Sequence, residues 1–181
     1  MKAQSIVGYS QDRAESDYYP TPPSTTLALM RRELFVGTVW ECACGDGRMA
    51  KVIKEYNPVY ATDIRTDLGY GEGGLDFLTM NKSVSNIITN PPYKLGQQFL
   101  ERALVLAEKK VALLLKLVFL ESETRRSLLK NSPLKTVYVF SKRQKIYKNG
   151  DEGKNSGLIA YAWFVWDKSY SGKPYIDWIN D

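Results

Sequence analysis

The stretch TVWECACGDGRMAKVIKEYNPVYATD, residues 38 to 63, decides the fold class. Thr38 to Ala43 reads as a buried strand and Gly45-Asp46-Gly47 as a tight turn. Arg48 to Tyr56 then carries apolar residues at helical spacing until Asn57-Pro58 stops it. Val59 to Thr62 follows as a second strand closed by Asp63. Strands joined through a helix run parallel, because a tight turn can connect only antiparallel neighbours. The stretch therefore predicts one β-α-β unit of an α/β domain.

Upstream, Asp17 to Pro23 (DYYPTPP) is rigid and extended, and Ser24 caps a predicted helix over Thr25 to Phe35. That helix carries Leu27, Met30 and Leu34 on one side, and Gly37 ends it. Downstream, a Gly-rich stretch (Asp67 to Gly74) leads to a short apolar piece, Leu75 to Leu78. Ser85 to Thr89 reads as a strand, Gly96 to Glu108 as a helix, Val111 to Leu117 as a buried strand and Ser122 to Lys130 as a helix. Thr136 to Phe140 and Leu158 to Trp166 close the chain as a long hairpin around the basic loop Ser141 to Gly157. Trp163 and Trp166, at odd spacing, point to opposite sides; one is expected in the core and the other toward a ligand or partner. This order predicts a doubly wound α/β sheet with an antiparallel strand at its C-terminal edge. Only 12 residues separate Asp63 from Asp76, too few for a helix and a strand, so the third strand is vestigial or replaced by the Gly-rich loop.

The counts set the limits. The 181 residues, 44% hydrophobic and 25% charged, fit a single globular domain spanning 1 to 181 with no separate recognition domain. The chain has no histidine, which excludes Ser-His-Asp and Cys-His nucleophile systems and imidazole bases. Cys42 and Cys44 are the only cysteines and too close to bridge without strain, so a disulfide scaffold, a zinc site and any other metal site are not expected. A reducing, cytoplasmic compartment is the natural setting. The longest apolar run, Val111 to Leu120, is ten residues, too short to span a bilayer. Net charge is +5, and it is concentrated: residues 121 to 150 hold eight Lys/Arg against two Glu. Such a block fits a polyanionic partner, and taken alone it equally fits a solvated surface.

Four groups of residues carry chemistry. Glu41-Cys-Ala-Cys-Gly-Asp-Gly47 sits at a strand-to-helix turn, where glycines let a ligand approach the backbone. It lacks the third glycine of a dinucleotide fingerprint, and Glu41 and Asp46 would repel a pyrophosphate, so the ligand there is neutral or cationic. Asp63 ends the next strand, where an acidic side chain commonly binds ribose hydroxyls, and where a plain turn residue is equally at home. Asp76 with Phe77 is placed for an adenine ring, or for a cap. Asn90-Pro91-Pro92-Tyr93 is the sharpest signal. Two prolines fix the backbone so that the Asn90 amide oxygen and the Pro91 carbonyl converge on one amino group, and Tyr93 offers a face for a planar base. Two fixed acceptors draw a conjugated amine toward sp3 character and free its lone pair for an electrophilic methyl, with no histidine required.

With these motifs the chain resembles the S-adenosylmethionine-dependent amino-methyltransferases, most closely the small phage-type DNA N6-adenine methyltransferases. The resemblance spans most of the chain. Tyr19-Pro20-Thr21-Pro22 looks like that family's N-terminal cofactor motif, and Glu41, Ala43, Gly45, Asp46 and Gly47 look like its glycine loop. Asp63 with Ile64 resembles the ribose site, Asp76-Phe77 the adenine site and Asn90 to Tyr93 the catalytic tetrad. Leu115 to Glu121, Arg125, Val139 to Arg143 and Ala162 to Trp166 are also similar to phage members. The resemblance implies a class I, Rossmann-like methyltransferase fold, S-adenosyl-L-methionine as cofactor and DNA as partner. Thr21 and the glycine loop would hold the methionine part, with Asp46 near its ammonium. Target reading would fall to loops, Arg65 to Gly74 or Ser141 to Gly157 with Lys142, Arg143, Lys145 and Lys148. RNA adenine, cytosine N4 and a protein glutamine remain open as acceptors, as does a binding module without turnover.

Overall fold

The structure, a computed structural model, describes residues 18 to 147 and 159 to 180. Seven strands form one sheet: β1 (Val39–Glu41), β2 (Val59–Ala61), β3 (Val84–Thr89), β4 (Ala107–Lys116), β5 (Leu134–Phe140), β6 (Tyr161–Asp167) and β7 (Tyr175–Ile179). Among the described residues four α-helices connect or flank them: α1 (Pro23–Met30), α2 (Arg48–Ile53), α3 (Gly96–Leu106) and α4 (Glu123–Asn131). The strand order is β2-β1-β3-β4-β6-β5-β7. The β1–β2, β1–β3 and β3–β4 pairs are parallel, so the β-α-β unit read from residues 38 to 63 stands.

Alternation along the strands sorts side chains into two cores, one on each face of the sheet. Val111, Leu113 and Leu115 of β4 pack with Phe99, Leu100 and Ala103 of α3, while Ala112 and Leu114 face the side of α1 and α2, with Leu29, Met49 and Ile53. Helices on both faces make the sheet doubly wound. Trp163 and Trp166 do fall on opposite faces, yet both are core residues, contrary to the expectation that one would be free for a ligand. Each indole N–H has a partner, the Thr25 carbonyl at 2.8 Å and the Ser132 hydroxyl at 3.0 Å, which removes the usual cost of burying it.

The antiparallel strand expected on the C-terminal side is β6, which pairs with both β4 and β5. Outside β5 lies β7, a parallel edge strand that the sequence did not suggest. Tyr175, Ile176 and Trp178 are exposed there and only Ile179 enters the core, so the strand lacks the alternation that would have announced it.

The third strand is reduced to one bridge between Thr62 and Glu72. Gly71 makes this possible: its φ is +70°, and a Cβ on it would lie 2.7 Å from the Ala61 carbonyl oxygen. Several boundaries differ from expectation: helix α1 starts at Pro23 with Pro22, not Ser24, as its N-cap, β1 is shorter than Thr38 to Ala43, and β6 begins at Tyr161 rather than Leu158. Helix α1 ends at Met30 rather than Phe35, Glu33 turns inward toward Lys110 and Tyr138, and Leu34 is left 76% exposed. Helix α3 passes into β4 at Ala107, because Ala107 pairs with Val84 and Lys110 with Asp167 in the sheet. Among the described residues no helix is long and apolar enough to cross a membrane.

Candidate active site

The strand order reverses between β1 and β3, the place where open parallel sheets form a crevice beyond the strand C-termini. The loops after these two strands, Glu41 to Gly47 and Asn90 to Tyr93, form the walls of a cleft of about 860 Å³ including its open mouth. Tyr19, Thr21, Glu41, Ala43, Gly45, Asp46, Asp63, Ile64, Asp76, Phe77 and the whole tetrad Asn90 to Tyr93 line it. Two expected residues stand back from the lining. Gly47 is the N-cap of α2 with φ +80°, and a Cβ there would run into the Tyr70 ring; Pro22 is the N-cap of α1.

The glycine loop is held by its neighbour strand. The Gly45 N–H donates to Asp63 Oδ2 at 2.8 Å, the Arg65 N–H donates to Asp63 Oδ1 at 2.9 Å, and the Cys44 N–H donates to the Thr62 carbonyl at 3.0 Å. Asp63 thus clamps two loops, while each carboxylate oxygen retains lone-pair capacity for another donor. Burial pushes its pKa up, against these two backbone hydrogen bonds. Burial pushes Glu41 up further, to about 8, although Thr89 Oγ1 donates to it at 2.7 Å. Cys42 and Cys44 are free, and burial followed by the nearby Glu41 raises both thiols. Asp76 Oδ1 accepts from the Leu78 N–H, the cap role that the sequence left open, and Phe77 is packed between Trp40, edge-on at 5.2 Å, and Phe99, tilted at 5.0 Å.

The charge balance of the cleft is acidic. Asp46, Asp63 and Asp76 line it beside Glu41, whose raised pKa leaves it mostly protonated at neutral pH, and both lining arginines are engaged: Arg48 with Asp46 at 2.7 Å and Arg65 with Asp67. A cation or a neutral polar group fits this lining, and a phosphate does not.

Asn90 closes the far wall. Its Nδ2 donates to the Tyr19 carbonyl at 3.1 Å and to Thr21 Oγ1 at 3.0 Å, tying the chain before α1 to the end of β3. The Tyr19 carbonyl can only accept, so the amide orientation is set. Its Oδ1 is buried and, among the described residues, has no hydrogen-bond partner. Unsatisfied buried acceptors are costly, and of those among the described residues, which include Asn86 Oδ1 and Thr136 Oγ1, Asn90 Oδ1 is the one whose residue lines the cleft. Next to it, Tyr93 is held by a 2.6 Å contact between its hydroxyl and that of Tyr161, with the Tyr19 ring at 4.7 Å and Lys116 Nζ 4.0 Å above its own ring.

Several lining residues escaped the sequence reading: Tyr18, Met49, Leu95 and Phe99 in the cleft, Tyr161 and Lys116 around Tyr93; Arg65, expected in a target-reading loop, lines the cleft. For Lys116 a signal existed, since it interrupts an apolar run at the C-terminal end of a strand. In the basic loop after β5, Lys142, Arg143 and Lys145 are exposed, and Gln144 anchors the loop by accepting from Thr25 Oγ1 at 2.6 Å. Lys148 lies outside the described residues.

No protein-family model matches the sequence, nor does any curated protein. Solved structures do match in fold. One is a candidate RNA methyltransferase from Pyrococcus horikoshii: 16% identical, TM-score 0.66, covering 90% of this chain and 92% of that one. Another is the methyltransferase subunit of a type I restriction-modification system from Streptococcus thermophilus, at 14% identity and TM-score 0.64. That match covers 94% of this chain, which spans only 47% of the subunit. A third is a candidate class I S-adenosylmethionine-dependent methyltransferase from Listeria monocytogenes, at 11% identity and TM-score 0.58, covering 87% of this chain and 65% of that one. At these identities the likeness is one of fold: the seven-stranded mixed α/β sheet is the Rossmann-like, class I methyltransferase fold.

Proposed function

We propose that this chain transfers a methyl group from S-adenosylmethionine to the exocyclic N6 amino group of adenine in DNA, with the base turned out of its stack into the tetrad pocket. The observation that carries this reading is Asn90: its amide nitrogen is fully engaged and its buried oxygen is left without a donor among the described residues. An amine is the donor that such an oxygen, followed by a proline carbonyl, is built to receive.

The cleft residues fit the cofactor. The surplus of carboxylates suits a sulfonium and an ammonium, and the cleft lies at the switch point of the sheet where such ligands bind. Thr21, Gly45 and Asp46 would hold its methionine portion, Asp63 and Ile64 its ribose, and Asp76 and Phe77 its adenine. When bound, S-adenosylmethionine supplies an electrophilic methyl on a positively charged sulfur. Asn90 Oδ1 and the Pro91 carbonyl accept the two N–H protons of the target amine and orient its lone pair. Pro92 rigidifies that turn, and Tyr93 provides the stacking surface. The amine's proton leaves to solvent, so the absence of histidine is no obstacle. Lys142, Arg143 and Lys145 would meet phosphates, making affinity fall steeply with salt. The likeness to a restriction-modification methyltransferase subunit supports DNA as the acceptor; the likeness to the Pyrococcus protein supports a second reading, adenine in RNA.

The test is methyl transfer from labelled S-adenosylmethionine to unmethylated duplex DNA, with an RNA pool and a release-factor protein in parallel. We expect label in DNA, recovered as N6-methyladenine, and a loss of about 100-fold or more for Asn90→Ala. Label as N4-methylcytosine, or in RNA or protein alone, would change the acceptor and keep the chemistry. Cofactor binding without label in any acceptor would overturn the reading.

A further inference from the structure

Tyr93 belongs to two depressions at once. On one side lies the cleft; on the other a wider groove of about 1010 Å³ runs along the start of α3 and the end of β4. Its polar walls are Lys94, Gln97, Gln98, Lys116 and Arg125, with Phe119 in its floor. The charge is unbalanced. Glu101 is the acidic residue of the lining and already accepts a hydrogen bond from Gln97 Nε2 at 2.9 Å. Among the described residues no carboxylate lies within 4.0 Å of Lys94, Lys116 or Arg125.

Two of these cations rest on aromatic rings instead. Lys116 Nζ sits 4.0 Å from the centroid of Tyr93, and the Arg125 guanidinium 4.6 Å from that of Phe119. A ring holds an ammonium by only about 0.5 to 2 kcal/mol, so an anion that offers a charge-assisted hydrogen bond outcompetes it. Arg125 is braced by donating from Nε to the Phe119 carbonyl at 3.1 Å, which leaves its plane fixed over the ring. A braced guanidinium on an aromatic is a platform on which a nucleobase stacks. Gln98, exposed on the first turn of α3, offers the amide pair that reads an adenine edge.

We infer that this groove holds the polynucleotide strand on either side of the target base, and that Lys116 is the positioning residue that gives up the Tyr93 ring for a backbone phosphate when the base arrives. The inference rests on the reading of Tyr93 as the stacking residue for a flipped base and extends it to the flanking nucleotides. Lys94 and Lys116 contact phosphates on the two sides of the flipped nucleotide, and the Phe119–Arg125 platform receives its neighbour. Lys116 thereby links occupancy of the groove to exposure of the stacking face: a strand bound in the groove clears Tyr93, and an empty groove leaves it covered.

The test measures binding of a fluorescent, unmethylated DNA duplex, and of an RNA of the same sequence, from low to moderate salt. Lys94→Glu and Lys116→Gln are compared with Lys142→Ala/Lys145→Ala in the basic loop, with binding of S-adenosylmethionine recorded for every variant. Lys94 is exposed, so its substitution leaves the fold intact. We expect each groove variant to weaken binding several-fold and to reduce the slope of log affinity against log salt by about 0.9, one phosphate's worth. For Lys116→Gln, KM for the nucleic acid rises while cofactor affinity is unchanged, a split that a folding defect would not produce. If both groove variants bind and methylate like the wild type while the loop variant carries the loss, the strand path lies over the loop and the inference is overturned. If the wild type binds S-adenosylmethionine but neither nucleic acid, the reading on which it rests fails as well.

Discussion

The two ends of the sheet treat buried carboxylates in opposite ways. At the end away from the cleft, Glu33 meets Lys110 at 2.7 Å and Lys135 at 3.6 Å, Asp167 meets the same two ammonium groups at 3.6 and 3.7 Å, and the Tyr138 hydroxyl donates to Glu33. Two acids and two bases close into a neutral cluster. At the cleft end, Glu41 and Asp63 are equally buried, and no Lys or Arg among the described residues lies within 4.0 Å of either. Their partners are a threonine hydroxyl and backbone N–H groups. The pKa directions follow. Burial works against Asp167 too, yet Ser169 and the two lysines outweigh it and hold the carboxyl below its usual range, whereas burial wins at Glu41 and Asp63. A charge cluster that is complete needs nothing more and serves the fold. Carboxylates buried without a cation are held at a cost, and such positions concentrate where a ligand completes the balance.

The strongest way to break this comparison is to unbalance the complete end. Glu33→Ala leaves Lys110, 16% exposed, beside Lys135 with Asp167 alone to neutralise both. It also strips the buried Tyr138 hydroxyl of its acceptor. We expect a loss of about 3 to 5 kcal/mol, read by urea unfolding, with no selective effect on cofactor binding by the protein that remains folded. A loss below about 1 kcal/mol would mean that the cluster is solvated and the contrast between the two ends is one of degree.

The sequence made the two ends legible to different extents, for a physical reason. The cleft is assembled from turns that follow strands, and turn chemistry is local: Gly45-Asp46-Gly47, Asp63 and Asn90 to Tyr93 announce themselves by spacing within a few residues. Their convergence needs only the parallel order of β1, β2 and β3, which the β-α-β pattern implies. The charge cluster unites Glu33, Lys110, Lys135 and Asp167 from four distant segments, and each reads alone as an ordinary surface charge. The same holds for the contacts around Tyr93, where Tyr161 and Lys116 are register partners across β4 and β6 that no local pattern links to the tetrad. Edge strand β7 was hidden by its exposed aromatic and aliphatic side chains, and the early end of α1 by Glu33, whose inward turn depends on Lys110.

A smaller effect sharpens the cleft end. Glu41 titrates near 4.5 in the unfolded chain and at about 8 in the fold, so the native state holds a proton that the unfolded state releases across that window. The wild type therefore loses stability as pH rises from about 4.5 to about 8 and no further above it. Glu41→Gln removes this dependence while keeping an acceptor for Thr89. At pH 8 the variant should be more stable by roughly 2 to 3 kcal/mol, less than the full shift implies because the new amide N–H group needs a buried partner. At pH 4.5 the two proteins should unfold within about 1 kcal/mol of one another. Thermal melts at the two pH values give the answer, and equal gains at both would show that ionisation of Glu41 is not what strains the cleft.

The smallest expected effect tests whether burial, rather than charge pairing itself, distinguishes the complete cluster. Arg32 and Asp177 form an ion pair at 2.8 Å, close to the 2.7 Å of Lys110 and Glu33 in the buried cluster, joining the end of α1 to β7, but their side chains are 46% and 41% exposed. Arg32 also donates to the Trp178 carbonyl, so the pair ties the outermost strand to the helix layer. Water solvates both partners when the contact opens, and salt screens them when it is closed. A double-mutant cycle with Arg32→Gln and Asp177→Asn should therefore return a coupling of about 0.2 to 1 kcal/mol that shrinks further in 1 M salt. A coupling of several kcal/mol that salt leaves untouched would place the stabilising electrostatics of this protein in its surface pairs. The neutral cluster would then contribute geometry rather than stability, and the contrast between the two ends of the sheet would no longer rest on desolvation.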